Sequence, residues 1–387
     1  MPLLLVLCAA AFVSAFSIRL LDPLVPAIAR DLGITVGAAA MLAPAYTFPY
    51  ALSQPVLGGI GDALGKERII KICLGLLALS LAAAAFAPNY ATVFAARIAA
   101  GIAGGGIIPV AFAVLGDRVP VAQRQVALAR IVMASQVAIL LSGSLAGVIA
   151  VRFGWRWVFA LAALTGAVAF GLMIRALPAR TVVAQSPLSF QRVLTQYAAV
   201  LANPLARFVL AGGAIEGITL FGLLPFVADR LETRGLGGIE QAGLVLAAMS
   251  VGGLAYTLLV RWLLEKLGRE WLIRTGGIIS GLALAAIAYS PSWLVEAALF
   301  AGLGFGFFMI HNSLQALATE LSPQSRASSV AVFAFCFFLG QALGPILYHF
   351  GFDHLGVHAP IVIAGIMLLM LAFTLAFVLQ KQPANQT

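Results

Sequence analysis

Gly58-Gly59-Ile60-Gly61-Asp62-Ala63-Leu64-Gly65-Lys66-Glu67-Arg68-Ile69 is a polar knot set between two long apolar runs. A weaker copy follows 203 positions later, as Glu265-Lys266-Leu267-Gly268-Arg269-Glu270. The same offset relates Asp117 and Pro120 to Glu320 and Pro323, and Gly101 to Gly304. Nearer the start of each half, Pro26, Ala29 and Leu32 align with Pro225, Ala228 and Leu231 at an offset of 199; four extra residues in the 230–239 loop account for the difference. Matches at Pro, Gly and acidic residues carry more weight than matches among Leu-rich stretches. One half of the chain is a duplicate of the other.

The 387 residues are 62% hydrophobic and 10% charged, with a mean hydropathy of +1.05. A soluble domain averages roughly 45–50% apolar and about 25% charged, so this chain lacks the polar surface to cover itself in water. The bilayer is its solvent. Stretches of about 20 apolar residues, long enough to cross, fall at 3–28, 38–60, 69–87, 92–115, 127–150 and 155–177. They resume at 206–228, 240–263, 272–289, 293–317, 329–351 and 359–379. The expected fold is an all-α polytopic membrane protein: twelve transmembrane helices in two pseudo-symmetric six-helix bundles, residues 1–177 and 206–387. A cytoplasmic linker, 178–205, joins them, and Phe190 to Leu201 within it is expected to form a short amphipathic helix on the membrane face. The run from Leu3 could pass for a signal peptide cut after Val13-Ser14-Ala15. No Lys or Arg precedes it and it continues past that site, so it reads as a retained span.

Lys and Arg fix the orientation. With the N-terminus inside, sixteen of the 23 fall on the cytoplasmic side, among them Lys66, Arg68, Lys71, Arg124, Arg269 and Lys381. Five fall outside: Arg30, Arg152, Arg156, Arg230 and Arg234. Both termini are therefore expected in the cytoplasm, and the compact loops and Ala-rich, Gly-rich spans suggest a bacterial inner membrane. Topology accounts for the net charge of +9 without a nucleic-acid partner. Cys8, Cys73 and Cys336 sit singly in apolar runs and read as buried small hydrophobes.

Twelve spans, a six-plus-six repeat and this loop resemble the major facilitator superfamily of transporters over essentially the whole chain. The family's loop between spans 2 and 3 runs G-x-L-x-D-x-x-G-R-K/R-x. Gly58, Ile60, Asp62, Gly65 and Lys66 fit it, while Ala63 and Glu67 replace residues that are usually basic. Gly65 permits the tight turn, and Gly58 and Gly61 let helices approach closely. The resemblance implies a conformational latch built from Gly58, Asp62, Gly65, Lys66 and Arg68, with Glu265, Gly268 and Arg269 in the second copy. Asp62 would dock at the cytoplasmic start of span 11, where a carboxylate suits the positive end of a helix, and Glu265 would do the same on span 5. On the residues alone, Lys66, Arg68 and Lys71 could simply set topology. Gly143 and Gly147 in span 5, and Gly340, Gly344 and Pro345 in span 11, carry the GxxxG spacing of close helix packing. Val148 stands where the family's exporters usually have Pro.

Ionisable residues inside spans are costly and point to function by default. Four stand out: Asp22 in span 1, Arg97 in span 4, Glu216 near the middle of span 7 and His311 in span 10. Arg19, one turn before Asp22, makes an i, i+3 pair available, so Asp22 reads also as a structural partner. In the resembled family, spans 1, 4, 7 and 10 line the cavity, and the RxxxG pattern that Arg97 begins is associated with proton coupling. A carboxylate out of water holds its proton more tightly and can cycle it near neutral pH. A cationic substrate or a nearby Arg competes with that proton, which is the minimal physics of antiport. Glu216 or Asp22 is the expected carrier. A lone His is as often a helix-packing hydrogen bonder. Glu296, at the outer start of span 10, reads as interfacial.

No HExxH, nucleophile elbow, phosphate loop or metal-type spacing is present, so neither an enzyme nor a nucleotide-driven pump is expected, and no cofactor or metal. His354 and His358 are four apart, but Gly356 and Pro360 argue against a regular helix there. The resemblance is strongest to the twelve-span drug:proton antiporters and metabolite efflux proteins. The function it implies is proton-coupled efflux of a small amphiphilic compound or metabolite by alternating access; the alternative is a proton symporter importing a small organic solute. The expected partners are the substrate, protons and the lipid bilayer, with the protein a monomer.

Overall fold

The computed structural model describes residues 3–177, 190–322 and 326–380. Those residues are helical almost throughout, and no strand occurs among them. The first helices are α1 (Leu3–Arg19), α2 (Val25–Leu32), α3 (Val36–Ala40), α4 (Pro44–Leu64), α5 (Lys66–Ala85), α6 (Tyr90–Arg118), α7 (Val121–Phe153) and α8 (Trp155–Ala176). Then follow α9 (Phe190–Leu201), α10 (Ala206–Glu216), α11 (Val227–Thr233), α12 (Ile239–Ile287), α13 (Trp293–Glu320), α14 (Arg326–Leu355) and α15 (Ala359–Gln380).

Among the described residues, ten helical stretches are long and apolar enough to cross a membrane. One of them, the 49-residue α12, contains two of the expected spans, joined where Gly268 leaves helical geometry at φ 67°. The 21-residue α4 occupies the place of the second span. Gly65, the counterpart of Gly268 in the repeat, turns the chain between α4 and α5 at φ 98°. Both values lie in the left-handed region that a residue with a Cβ rarely adopts. Several helices outrun their apolar stretches. α7 starts at Val121, not near 127, because long polar side chains at the membrane edge reach water while their backbone stays hydrogen-bonded.

The chain groups into two compact units. The first comprises Met1–Phe190 with the short pieces Pro225–Glu232 and Gly238–Gly243. The second comprises Gln191–Leu224, Thr233–Gly237 and Leu244–Thr387. The linker helix α9 covers the Phe190 to Leu201 expected from the sequence. It goes with the second unit, where its Val200 joins a core of Val209, Ile310, Leu314, Phe333 and Leu375. Residues 178–189 of the expected linker, and Lys381, lie outside the described residues.

The duplication is visible as repeated contacts inside each unit. A Cβ on Gly101 of α6 would fall on the Tyr46 carbonyl of α4; one on Gly304 of α13 would fall on the Met249 carbonyl of α12. Tyr46 and Met249 are themselves 203 positions apart, so a close helix approach recurs at equivalent places. At the helix ends Lys66 pairs with Asp117 at 2.8 Å, and Arg269 pairs with Glu320 at 3.4 Å, again at the same offset.

The opening span of each half is broken. After α1, Asp22–Leu24 forms a 3-10 turn before α2, because Pro23 and Pro26 lack the N–H that a continuing helix needs. After α10, Gly217–Phe221 winds as a π turn and Leu224–Phe226 as a 3-10 turn before α11, with Pro225 at the break. Broken backbone at membrane depth is tolerated only where it is buried in protein or lines a wet cavity. Asp22 and Glu216 stand at these breaks.

Candidate functional site

In the first unit, Arg97 is 1% exposed and among the largest fully buried side chains. Its Nε donates to the Leu42 carbonyl at 3.1 Å and one terminal nitrogen donates to the Ser17 carbonyl at 3.1 Å. The guanidinium lies over the Tyr46 ring, 4.3 Å from the centroid. Ser17 belongs to the last turn of α1, whose carbonyls lose their helical donors where the helix stops, and the negative end of a helix attracts a cation. Arg97 therefore stitches α6 to the end of α1 and to the turn before α4.

Asp22 is 1% exposed at the start of the 3-10 turn. Arg19 approaches it to 3.6 Å, the i, i+3 pair that the spacing allows. Both Asp22 carboxylate oxygens, the Arg97 Nη2 and the Tyr46 hydroxyl are buried without a hydrogen-bond partner among the described residues. Buried polar atoms left unmatched are uncommon and call for an explanation. The Asp22 oxygens lie at the helix break, with bonding capacity left for a proton, a water or a polar group of a ligand.

In the second unit, Glu216 closes α10 immediately before the π turn and is fully buried. Its Oε2 lies 2.9 Å from His311 Nδ1 on α13, while Oε1 has no partner among the described residues. His311 is 14% exposed through its side chain, so the pair is dry at the carboxylate and reaches the surface at the imidazole. Three phenylalanine rings flank that imidazole: Phe307 at 4.9 Å, Phe337 at 4.7 Å and Phe333 at 5.6 Å. Aromatic faces attract a cation, and a dry carboxylate keeps its charge only if it is paired. The group can thus hold one shared proton, or take a second.

The remaining candidates are placed as follows. The side chains of Gly58 and Asp62 lie outside the described residues. Arg68 is exposed, and Glu265 forms an exposed i, i+4 pair with Arg261 at 2.9 Å. A Cβ on Gly340 would press on the Ala214 backbone, and one on Gly344 would sit 2.6 Å from the Gly222 Cα; Pro345 lies inside α14 beside them. Gly147 packs on the Ile239 carbonyl, and the Gly143 carbonyl lies where a Cβ on Gly243 would go. His354 Nδ1 meets the Phe350 carbonyl and His358 Nδ1 meets the Ala288 carbonyl, on either side of Gly356 at φ 77°. Glu296, expected at the outer start of span 10, stands at the start of α13. It is fully buried in the first turn of α13, where the Ser290 hydroxyl donates to its Oε2 at 2.5 Å and Arg234 donates to the Ser290 carbonyl at 2.7 Å.

The aromatic partners of His311 and the hydroxyl of Tyr348, which donates to the Thr219 carbonyl at 2.8 Å, were not singled out from the sequence. Phe307 and Phe333 stand one helical turn before His311 and Phe337, a spacing that hints at a shared face. The π turn leaves no comparable trace.

The sequence pattern of the Major Facilitator Superfamily matches residues 7–345 and again 233–387. The chain is 27% identical over 241 residues to YbcL of Bacillus subtilis (strain 168), an uncharacterised MFS-type transporter; that alignment covers 62% of this chain and spans only 60% of the relative's length. It is 24% identical to the purine ribonucleoside efflux pump NepI of Escherichia coli O127:H6 (strain E2348/69 / EPEC), over 92% of this chain and 87% of that one. Its fold matches a bacterial homolog of the human lysosomal transporter Spinster, crystallised inward-facing and unoccupied, with a TM-score of 0.79, 17% identity and coverage of 99% and 98% of the two chains. The repeat, the broken first span of each half and the pattern match across the chain lead to one assignment: this polytopic membrane protein belongs to the Major Facilitator Superfamily of transporters.

Proposed function

We propose that the protein is a secondary transporter that exports a small amphiphilic organic compound or metabolite in exchange for protons, across a bacterial inner membrane with both termini in the cytoplasm. The observation that carries this reading is the Glu216–His311 pair. A fully buried carboxylate with one unmatched oxygen, bonded at 2.9 Å to a partly exposed imidazole, has the means to take up and release a proton where alternating access would expose it in turn. Asp22, buried and weakly held by Arg19 at 3.6 Å, is the second proton-carrying group, with Arg97 as its neighbour. The efflux direction rests on the relative named as an efflux pump, NepI; Val148, in place of the Pro usual in exporters, is the feature that favours import by symport instead. The substrate and protons are its partners in this cycle, and it works as a monomer.

The test is fluorescence-monitored proton movement in inverted membrane vesicles energised with a pH gradient and challenged with organic cations, nucleosides, sugars and organic acids. A compound that releases protons in the wild type but not in Glu216→Gln or Asp22→Asn supports coupled efflux. Silence across the panel, with insertion verified, removes it.

A further inference from the structure

We propose that the π turn Gly217–Phe221 ties the charge state of the Glu216–His311 pair to the winding of the helix that carries it, with Tyr348 as the positioning residue that pins the turn. The inference rests on the proton-coupled reading of that pair. Residues five apart on an α-helix point about 140° away from each other. Wound as a π turn, with roughly 4.4 residues per turn, they come to within about 50°. Glu216 and Phe221 are five apart, and the π turn is what sets both toward the same neighbours. Glu216 bonds His311, and Phe221 packs edge-on to Phe307 at 5.5 Å and Phe337 at 5.4 Å, two of the rings that flank the same imidazole. Rewinding the turn to α would swing Phe221 away from the face that holds the pair.

A π turn is rare and persists where neighbours hold it. Three contacts do so here, all inside the second unit. Gly217 has no room for a Cβ, which would meet the Phe337 carbonyl and, at 2.7 Å, the Gln341 nitrogen. A Cβ on Gly222, one residue past the turn, would likewise sit 2.7 Å from the Gly344 Cα. The buried Tyr348 hydroxyl donates to the Thr219 carbonyl at 2.8 Å, filling an acceptor in the middle of the turn.

The charge of the pair bears on this balance. With one proton between them, His311 and Glu216 share a charge-assisted hydrogen bond, which is roughly twice as strong as a neutral one. A second proton leaves an imidazolium facing an uncharged carboxyl, and the tie between α10 and α13 weakens. Few other groups face this point. α13 contributes His311 itself; α14 brings Phe333, Phe337, the Tyr348 phenol and the half-buried Cys336; α15 has no ionisable residue along its length. Among the described residues, His311 is the ion-pair partner found for Glu216.

The test is hydrogen–deuterium exchange of the full chain in nanodiscs, without substrate, reading peptides that cover 215–224 at pH 8 and pH 5.5 after correction for intrinsic exchange. The wild type is expected to lose protection at least fivefold on acidification. Glu216→Gln, which mimics the uncharged carboxyl, is expected to exchange fast at both pH values and to lose the response. Tyr348→Phe, which removes one hydroxyl from a packed ring, is expected to exchange at least threefold faster than the wild type at pH 8. Protection in 215–224 that ignores pH, or that Glu216→Gln leaves as in the wild type, overturns the coupling. A Tyr348→Phe turn as protected as the wild type overturns the positioning role. These readings need no transport, so they fail or succeed apart from the proton-movement assay in vesicles.

Discussion

Arg97→Lys keeps the charge and removes the fork, and that makes it the sharpest probe of the first unit. The guanidinium spends two nitrogens on the carbonyls of Leu42 and Ser17, both at 3.1 Å, and its flat face on the Tyr46 ring at 4.3 Å. Hydrogen bonds to charged groups contribute about 1.5–3 kcal/mol each. An ammonium on a single stem reaches one of these carbonyls and leaves the other dry. Part of the stacking, worth about 2 kcal/mol when desolvated, goes as well. The expected destabilisation of Arg97→Lys is therefore about 2–4 kcal/mol. Arg97→Leu also strands the carbonyls but removes the burden of a buried charge, so it is expected to be no less stable than the Lys variant. Unfolding by SDS titration from mixed micelles, followed by tryptophan fluorescence, gives the number. A Lys variant within about 0.5 kcal/mol of the wild type, smaller than the loss of one such bond, would show that the two carbonyls do not hold the side chain and would refute the clamp.

Other expectations follow from contacts at single residues. Gly101→Ala drives a Cβ into the Tyr46 carbonyl and to 2.9 Å from Pro49 Cγ, and should cost about 1–3 kcal/mol; Gly116→Ala on the same helix meets nothing within 4 Å and should leave the melting temperature unchanged or slightly raised. Ser290→Ala removes the 2.5 Å bond to the buried Glu296 carboxylate and should destabilise by about 1.5–3 kcal/mol, a loss that Ser290→Thr should largely avoid in the same unfolding assay. The Lys66–Asp117 pair, 2.8 Å long but with Asp117 59% exposed, should show a coupling of only about 0.2–1 kcal/mol in a double-mutant cycle with Lys66→Met and Asp117→Asn. A coupling several times larger would mean that these helix ends are far drier than their exposure indicates.

What the sequence disclosed and what it hid have a common physical origin. The duplicated Pro, Gly and acidic positions announce the repeat because they serve the backbone: Gly65 and Gly268 take the same left-handed turn, and Gly101 and Gly304 make the same close approach. Backbone roles survive translation by a fixed offset. Side-chain chemistry does not, and the two halves divide it. The repeat places Ser17 opposite Glu216 and Asp22 opposite Phe221, so each unit builds its own polar cluster at its own break. The four intramembrane charges were legible because burying them is expensive. Their partners were not, because Arg97 is held by two backbone carbonyls, which no residue letter advertises. The burial of Glu296 was hidden for a related reason. Position along a span locates a residue near the membrane edge but does not say whether a serine hydroxyl waits there to let it be buried. The π turn was hidden altogether, since the groups packed against it, among them Gly344 and Tyr348, come from another helix.

The account stands on Glu216 as a proton carrier, and comparing uphill transport with counterflow tests it most directly. Purified protein is placed in liposomes with a compound that moves protons in vesicles, and its accumulation is measured with and without a pH gradient. The wild type is expected to concentrate the compound with the gradient and to exchange it without one. Glu216→Gln should keep the exchange and lose the gradient-driven accumulation, because a carrier that cannot change its charge still alternates but no longer couples. Gradient-driven accumulation at the wild-type level in Glu216→Gln would contradict the account and move the coupling to Asp22.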